Sequence, residues 1–402
     1  MNESYNSVLQ KDIKNNAKRI KNYVELYNKK IVITGATGLI GSVICKSLLC
    51  ANRLYNCNIT VYAVVRNTEK AEQVFAEVLN RTEFNIVKCN FISEPLNLKD
   101  NINYIIHTAA VTTSKLMVQK PVDTLMTAIN GTKAILDMAK EKDLESIVYL
   151  SSMEVYGSFN DEKYVTEDTY GNIDILDVRS SYSEGKRVCE NMCISYYHQY
   201  NIPVKIARLA QTFGPGISKD DNRVYAQFAR SVLERKDIVL HTEGLSEGNY
   251  VYISDAVDAI IKLLILGQNG EAYNIANEQS HMQIRKMAEM VAEKVAKGNI
   301  KVAYELQSQN AYAKDTRMKM NTDKIKKIGW NIQNIENIIP NTNVILIGSK
   351  KFINDKVFEL KERQVENLEI IACYNYNEVK NDMKEIVSKY DGMLNTLGIN
   401  KI

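Results

Sequence analysis

A short apolar run, Lys30-Ile31-Val32-Ile33-Thr34, runs straight into Gly35-Ala36-Thr37-Gly38-Leu39-Ile40-Gly41, and an apolar-periodic stretch follows to Leu49. A strand that must become a helix within a few residues leaves the backbone few solutions, and the glycine spacing selects one of them. Gly35 makes the tight turn, Gly38 lets backbone approach a pyrophosphate, and Gly41 allows the helix to pack closely on the strand. Three glycines alone would mark only a turn. Set between a strand and a helix, they read as a dinucleotide-binding loop, with Thr37, Leu39 and Ile40 completing its cofactor-binding residues.

Beyond this loop, strand-like runs alternate with helical ones. Residues 59–65, 84–87, 104–107, 146–150 and 202–208 read as strands, and 71–79 and 124–139 as helices. The alternation predicts an α/β fold, a Rossmann-type doubly wound parallel sheet that binds ligands at the carboxyl ends of its strands. Ahead of it, Ile13, Ala17, Ile20, Val24 and Tyr27 fall at helical spacing, so residues 1–30 form a helical extension. Residues 31–208 are the dinucleotide-binding domain. Residues 209–335 form a smaller, loop-rich substrate-binding portion, partly interwoven with the sheet. Pro340 and Asn341-Thr342-Asn343 mark a boundary before a small α/β appendage over 341–402. Strands at 344–347 and 368–373 and helices at 354–363 and 378–390 give it a βαβα order. Its first turn, Gly348-Ser349-Lys350-Lys351, lacks a phosphate-cradling glycine pattern, so a docking or assembly role is expected. About 60 residues is marginal for independent stability.

The charge balance narrows the partners. Among 402 residues, 51 basic and 48 acidic side chains leave a net charge of +3, which gives no nucleic-acid surface. No apolar run reaches the length of a membrane span, and the polar residues 1–7 do not read as a signal peptide. Seven cysteines occur without a Cys-x-x-Cys pair, which fits reduced thiols in a cytoplasmic protein. Cys189 and Cys193 lie one helical turn apart, but no histidine or acidic cluster completes a metal site there.

The candidate chemistry lies downstream. Tyr182-Ser183-Glu184-Gly185-Lys186 places a tyrosine and a lysine on one helix face. A lysine charge there can lower the phenol pKa and make it a base near neutral pH. Such a pair alone is usually a solvated surface pair. Ser152, closing the strand-like run that enters Ser151-Ser152-Met153-Glu154-Val155-Tyr156-Gly157, can hydrogen-bond the same substrate oxygen.

With these residues in view, residues 30–330 resemble the extended short-chain dehydrogenase/reductase family, specifically its nucleotide-sugar epimerases, dehydratases and decarboxylases. The resemblance rests on Gly35 to Gly41, Ile106-His107-Thr108-Ala109-Ala110, Asn130-Gly131-Thr132, Ser151 to Gly157, Tyr182 with Lys186, Arg208 to Pro215, and Tyr252-Ile253-Ser254-Asp255. It implies that Tyr182 takes the proton from a sugar hydroxyl, usually at C4, while hydride passes to NAD. Lys186 would hold the nicotinamide ribose, Ser152 would orient the reacting oxygen, and Glu154 joins the candidate catalytic set. Arg66, Asn90, Phe91, Ala109, Ala110 and Asn130 extend the candidate cofactor contacts, and Thr112, Gln211 and Arg223 the substrate contacts. His107 would shape the turn near the pyrophosphate, while His198, His241 and His281 have no recognisable partners in the sequence.

Departures from the family pattern matter. Dehydratases carry Asp-Glu where this chain has Met153-Glu154, and methionine cannot protonate a departing hydroxyl. Gln211 stands where relatives have asparagine, and Gly248 where they have a phosphate-binding arginine, for which Arg223 is a substitute. Arg66, where an acidic residue would favour the free ribose hydroxyl, leaves NADP open beside NAD. The leading expectation is an NAD-dependent nucleotide-sugar epimerase-type enzyme of polysaccharide precursor synthesis. A UDP-glucuronate decarboxylase-like enzyme, a keto-sugar reductase and a non-catalytic dinucleotide sensor are its alternatives. A homodimer is implied by the resemblance alone.

Overall fold

The computed structural model describes residues 7–159, 163–217, 221–306, 315–332, 344–346 and 370–372. It falls into two units, Met1–Trp330 and Asn331–Ile402.

The apolar stripe near the start folds as α1 (Ser7–Ile20), which buries Ile13, Ala17 and Ile20. The helix stops there. Val24, expected to continue the stripe, is 67% exposed, and a short 3₁₀ turn over Val24–Leu26 buries Leu26 instead. The chain then alternates through β1 (Lys30–Thr34), α2 (Leu39–Tyr55), β2 (Thr60–Val65), α3 (Thr68–Val74) and β3 (Phe84–Lys88). β4 (Tyr104–His107), α4 (Ser114–Gln119), α5 (Pro121–Lys140) and β5 (Ser146–Ser152) follow. α3 begins three residues before the periodicity suggests, because the Asn67 side chain accepts the Lys70 N–H and caps it.

After β6 (Lys163–Val165) come α6 (Ser180–Tyr200), β7 (Val204–Leu209), β8 (Gln211–Phe213), α7 (Val224–Glu234) and β9 (Ile238–Leu240). β10 (Glu247–Tyr252), α8 (Ile253–Leu266), β11 (Ala272–Ile275) and β12 (Asn277–Gln283) complete the parts that frame the cleft. Beyond them the chain is α-helical over Ile284–Met290 and changes to a π-helical turn at Val291–Val295.

Seven strands form one parallel sheet in the order β11-β7-β5-β4-β1-β2-β3. The order reverses between β1 and β4, and there the crevice opens at the carboxyl ends. Ile31, Val32 and Ile33 are fully buried, as a strand covered on both faces requires. On one face, α5 and α6 pack over Val32, Ile105, Ile147, Tyr149, Val204 and Ile206. α8 packs against β5, β7, α2 and α1.

The edge strand β11 comes from beyond residue 208, so the sheet draws on both sides of that expected boundary. β8, β10 and β12 build a separate three-stranded sheet, with β10 parallel to β8 and antiparallel to β12. In the second unit, Val344–Leu346 pairs in parallel with Ile370–Ala372. The expected helices at 354–363 and 378–390, and the Gly348–Lys351 turn, lie outside the described residues.

Behind the cleft, a buried ionic network ties α6 to the sheet. Arg208 on β7 binds Glu190 on α6 at 2.8 Å and donates to the Tyr156 hydroxyl at 3.1 Å. Tyr156 in turn donates to Asn274 on β11 at 2.6 Å. Removing one partner of such a pair leaves an uncompensated buried charge. Glu190→Ala should therefore lower unfolding free energy by about 3–5 kcal/mol, measured by urea denaturation.

Candidate active site

The glycine loop takes the conformation its spacing calls for. Gly35 lies in the left-handed region at φ 60°, and a Cβ there would sit 2.8 Å from Thr108 Oγ1 and 2.9 Å from the Ala109 backbone. A Cβ on Gly41, inside α2, would meet the Gly35 carbonyl oxygen at 2.7 Å. Gly38 is the N-cap of α2, so the free N–H groups of that helix end open beside the loop. Thr37, Leu39 and Ile40 are partly exposed there. A cradle in which added carbons would collide, at a helix N-terminus and a sheet switch point, fits a dinucleotide pyrophosphate.

A second set of hydrogen bonds fixes the loop after β4. Thr34 Oγ1 accepts the N–H groups of Thr108 and Ala109, each at 3.1 Å, so its own proton is free for His107 Nδ1 at 2.7 Å. His107 is thereby the tautomer with its proton on Nε2, directed at Thr132 Oγ1 3.5 Å away. Burial, and then the Lys186 charge, push the His107 pKa down to about 3, so the ring is neutral. His107 thus positions Thr108 and Ala109 against Gly35, and Ala110 follows at the partly exposed strand end.

The remaining cofactor candidates are spread around this crevice. Arg66 is exposed just past β2, and Asn130 is partly exposed on α5. Asn90 follows β3, and its backbone N–H donates to Glu94 at 2.7 Å. The Phe91 ring is a core group, edge-on to His107 and against Gly131.

At the end of β5 the catalytic candidates converge. Ser152 stands beside the Tyr182 phenol, where its hydroxyl favours the ionised form, and its Oγ accepts the Glu154 N–H at 3.2 Å. Lys186 is 3% exposed, and its ammonium donates to the Leu150 carbonyl at 2.6 Å. It stands 4.8 Å from the Tyr149 ring centre and 5.9 Å from that of Tyr182. Burial lowers the Lys186 pKa to about 8, against the opposing pull of Cys189 and Glu190.

The phenol is not tuned as the sequence suggests. Burial, and then the Glu154 charge, hold the Tyr182 pKa above its ordinary value, opposed by the Ser152 hydrogen bond and by Arg179 and Arg223. Arg179 stands as near the Tyr182 ring as Lys186 does, each 5.9 Å from its centre, so the cation expected at Lys186 has a second beside it. Arg179, which sequence reasoning missed, grips Glu154 through NH1 at 3.0 Å and NH2 at 3.1 Å. Ser183 Oγ donates to the same carboxylate at 3.3 Å. The available signal was spacing, since Arg179 lies three residues before Tyr182 at the start of α6.

The substrate candidates divide. Gln211 on β8 shares a small cavity of about 30 Å³ with Met153, Gly248 and Tyr250, and its side-chain oxygen is buried without a partner among the described residues. Met153 fills the space above Gly248, its Cε 3.7 Å from where a Cβ would stand. Arg223, expected as a phosphate contact, is paired with Asp221 through Nε at 3.0 Å and 3.1 Å and with the Thr212 carbonyl at 3.3 Å. Thr112 is exposed ahead of α4. His281 and His241 have the partners that the sequence did not reveal, with Glu247 at 3.6 Å and the Glu305 carbonyl at 3.3 Å.

A glycine cradle at the switch point, with serine, tyrosine and lysine around the next strand end, defines a dinucleotide-dependent enzyme of the extended short-chain dehydrogenase/reductase type. The chain belongs to the NAD dependent epimerase/dehydratase family, whose sequence model matches residues 31–276. This is a family of nucleotide-sugar enzymes, and NAD is its cofactor. Over 266 residues the chain is 30% identical to UDP-glucuronic acid decarboxylase 3 of Arabidopsis thaliana, covering 66% of this chain and 74% of that one. It is 28% identical to dTDP-D-glucose 4,6-dehydratase of Dictyostelium discoideum over 278 residues, covering 66% and 63% of the two chains. The fold matches UDP-glucuronic acid 4-epimerase from Bacillus cereus, in complex with UDP-glucuronic acid and NAD, at TM-score 0.64 and 23% identity, covering 76% and 94% of the two chains. Among the described residues, no helix is long and apolar enough to cross a membrane.

Two measurements check this geometry. Gly35→Ala should weaken NAD binding by at least tenfold in calorimetric titration, because the loop must open to admit the methyl group. His107, with its folded pKa near 3 below the ordinary 6.5, costs stability when protons bind the unfolded chain more readily. Its contribution is therefore complete above about pH 6.5 and is lost as pH falls toward 3. His107→Asn should flatten the pH dependence of the melting temperature across that window.

Proposed function

We propose that this enzyme is a nucleotide-sugar epimerase of the kind that oxidises the sugar transiently at C4. The feature that carries this reading is the Tyr182 phenol, set beside Ser152 and flanked by Lys186 at the carboxyl edge of the sheet. Bound NAD supplies the hydride acceptor. The protein's own part is to move a proton and fix an oxygen. Tyr182 Oη takes the C4 hydroxyl proton as the C4–H bond breaks, and Ser152 Oγ holds the same oxygen in line. Returning the hydrogen to the opposite face of the resulting ketone inverts C4, and Tyr182 gives back its proton. Lys186, anchored to the Leu150 carbonyl, keeps a positive charge in the wall of the pocket.

Met153 supports this reading against 4,6-dehydration. Its thioether packs over Gly248, where an elimination would need an acid to protonate the leaving hydroxyl. The identity to UDP-glucuronic acid decarboxylases favours a second reading. Oxidation at C4 of a uronic acid makes its carboxylate that of a β-keto acid, which loses carbon dioxide. Both readings share the first step.

The test is a panel of UDP- and dTDP-sugars incubated with enzyme and NAD, followed by proton NMR. Inversion at C4 is expected, whereas carbon dioxide release from UDP-glucuronic acid would select the second reading. Tyr182→Phe should lower kcat by about 10²–10⁴-fold. Near-normal turnover by this variant would overturn the assignment.

A further inference from the structure

Ser183, next to Tyr182 on α6, donates to the Glu154 carboxylate at 3.3 Å, which sets that negative charge near a phenol that the proposed reaction deprotonates. Left uncompensated, that charge would work against the chemistry, because a like charge nearby disfavours a second ionisation. The structure supplies the compensation from one turn upstream on the same helix as Tyr182. Arg179 holds one Glu154 oxygen through NH2 and the other through NH1, at 3.1 Å and 3.0 Å. Its guanidinium carbon lies 5.9 Å from the Tyr182 ring centre. Ser183 completes the grip on the carboxylate at 3.3 Å.

The other groups facing the phenol are already committed. Lys186 donates to the Leu150 carbonyl, and Arg223 is paired with Asp221. Ser152 is neutral and can only donate or accept a hydrogen bond.

We propose that Arg179 is a positioning residue, which grips Glu154 on both oxygens and offsets the negative charge that this carboxylate turns toward Tyr182. The inference rests on the reading of Tyr182 as the base. It adds a second element to the proton machinery, a cation that acts through Glu154. The burial and Glu154 charge that hold the Tyr182 proton on, and the Arg179 charge that loosens it, agree with this arrangement.

The test follows the Tyr182 proton directly, in the full chain saturated with NAD. Tyrosine labelled with ¹³C at Cζ is incorporated, the Tyr182 resonance is assigned by its loss in Tyr182→Phe, and its titration is followed by NMR. Glu154→Gln should bring the onset of titration about one pH unit or more below that of the parent chain. Arg179→Met should move it up by a comparable amount, and the double variant Arg179→Met/Glu154→Gln should fall back near the parent. Arg179→Lys, which keeps the charge, should stay within half the Arg179→Met shift and serves if the methionine variant fails to fold. An unchanged onset in Glu154→Gln, or an upward shift in Arg179→Met that persists in the double variant, would overturn the proposal. If Arg179 served only to stabilise the helix start, melting temperatures would fall while the order of titrations stayed flat. The reading of Tyr182 as the base fails separately, through full turnover of Tyr182→Phe.

Discussion

Everything at the cleft depends on a backbone contact with no spare room. Gly35, in a left-handed turn, lies so close to Thr108 and Ala109 that even a methyl group would overlap them. That contact brings the end of β1 against the end of β4, where the sheet's order reverses. The Thr34 hydroxyl accepts both N–H groups of the second loop and donates a hydrogen bond to Nδ1 of a neutral histidine. A buried, uncharged His107 therefore has a mechanical role: it holds two loops at the separation a dinucleotide needs.

The reacting side of the cleft is governed by electrostatics rather than packing. Burial alone disfavours both the tyrosinate and the lysine ammonium, raising one pKa and lowering the other. On the proposed reading of Tyr182 as the base, the phenol needs cations around it, and three of them, Arg179, Lys186 and Arg223, come from the neighbourhood of the Tyr182 helix and the start of α7. Each is partnered, to Glu154, the Leu150 carbonyl and Asp221 respectively. The pocket is in this sense pre-paired, and the charge that Tyr182 feels depends on how tightly each pairing is held.

Much of the fold was legible in the sequence because strand and helix periods differ and glycine has distinctive freedom. The run from Lys30 to Gly41 and the strand at Tyr104–His107 were readable from local pattern. Less legible were features set by side chains meeting from afar. The Asn67 cap moved the start of α3, and the exposure of Val24 ended the N-terminal stripe early. At the site, the Tyr–Lys spacing pointed to the right helix but could not show that Lys186 would donate to a strand carbonyl. Nor could it show that Arg223 would close on Asp221, two residues away, or that Arg179 would reach across to Glu154. The Lys186 and Arg179 contacts depend on partners 36 and 25 residues away, and the Arg223 pairing on a local choice of rotamer.

The late position of β11 has a consequence for how the chain matures. β7 gains its outer neighbour only when residues 272–275 arrive, and the buried Tyr156 hydroxyl meets Asn274 in that same strand. Until then, one flank of the sheet presents unpaired backbone, and the arginine behind the reactive helix lacks part of its network. On a ribosome, the nucleotide-binding half would emerge first and wait, with an open edge, for a segment made more than sixty residues later. Shielding that edge during synthesis becomes a task for whatever meets the nascent chain.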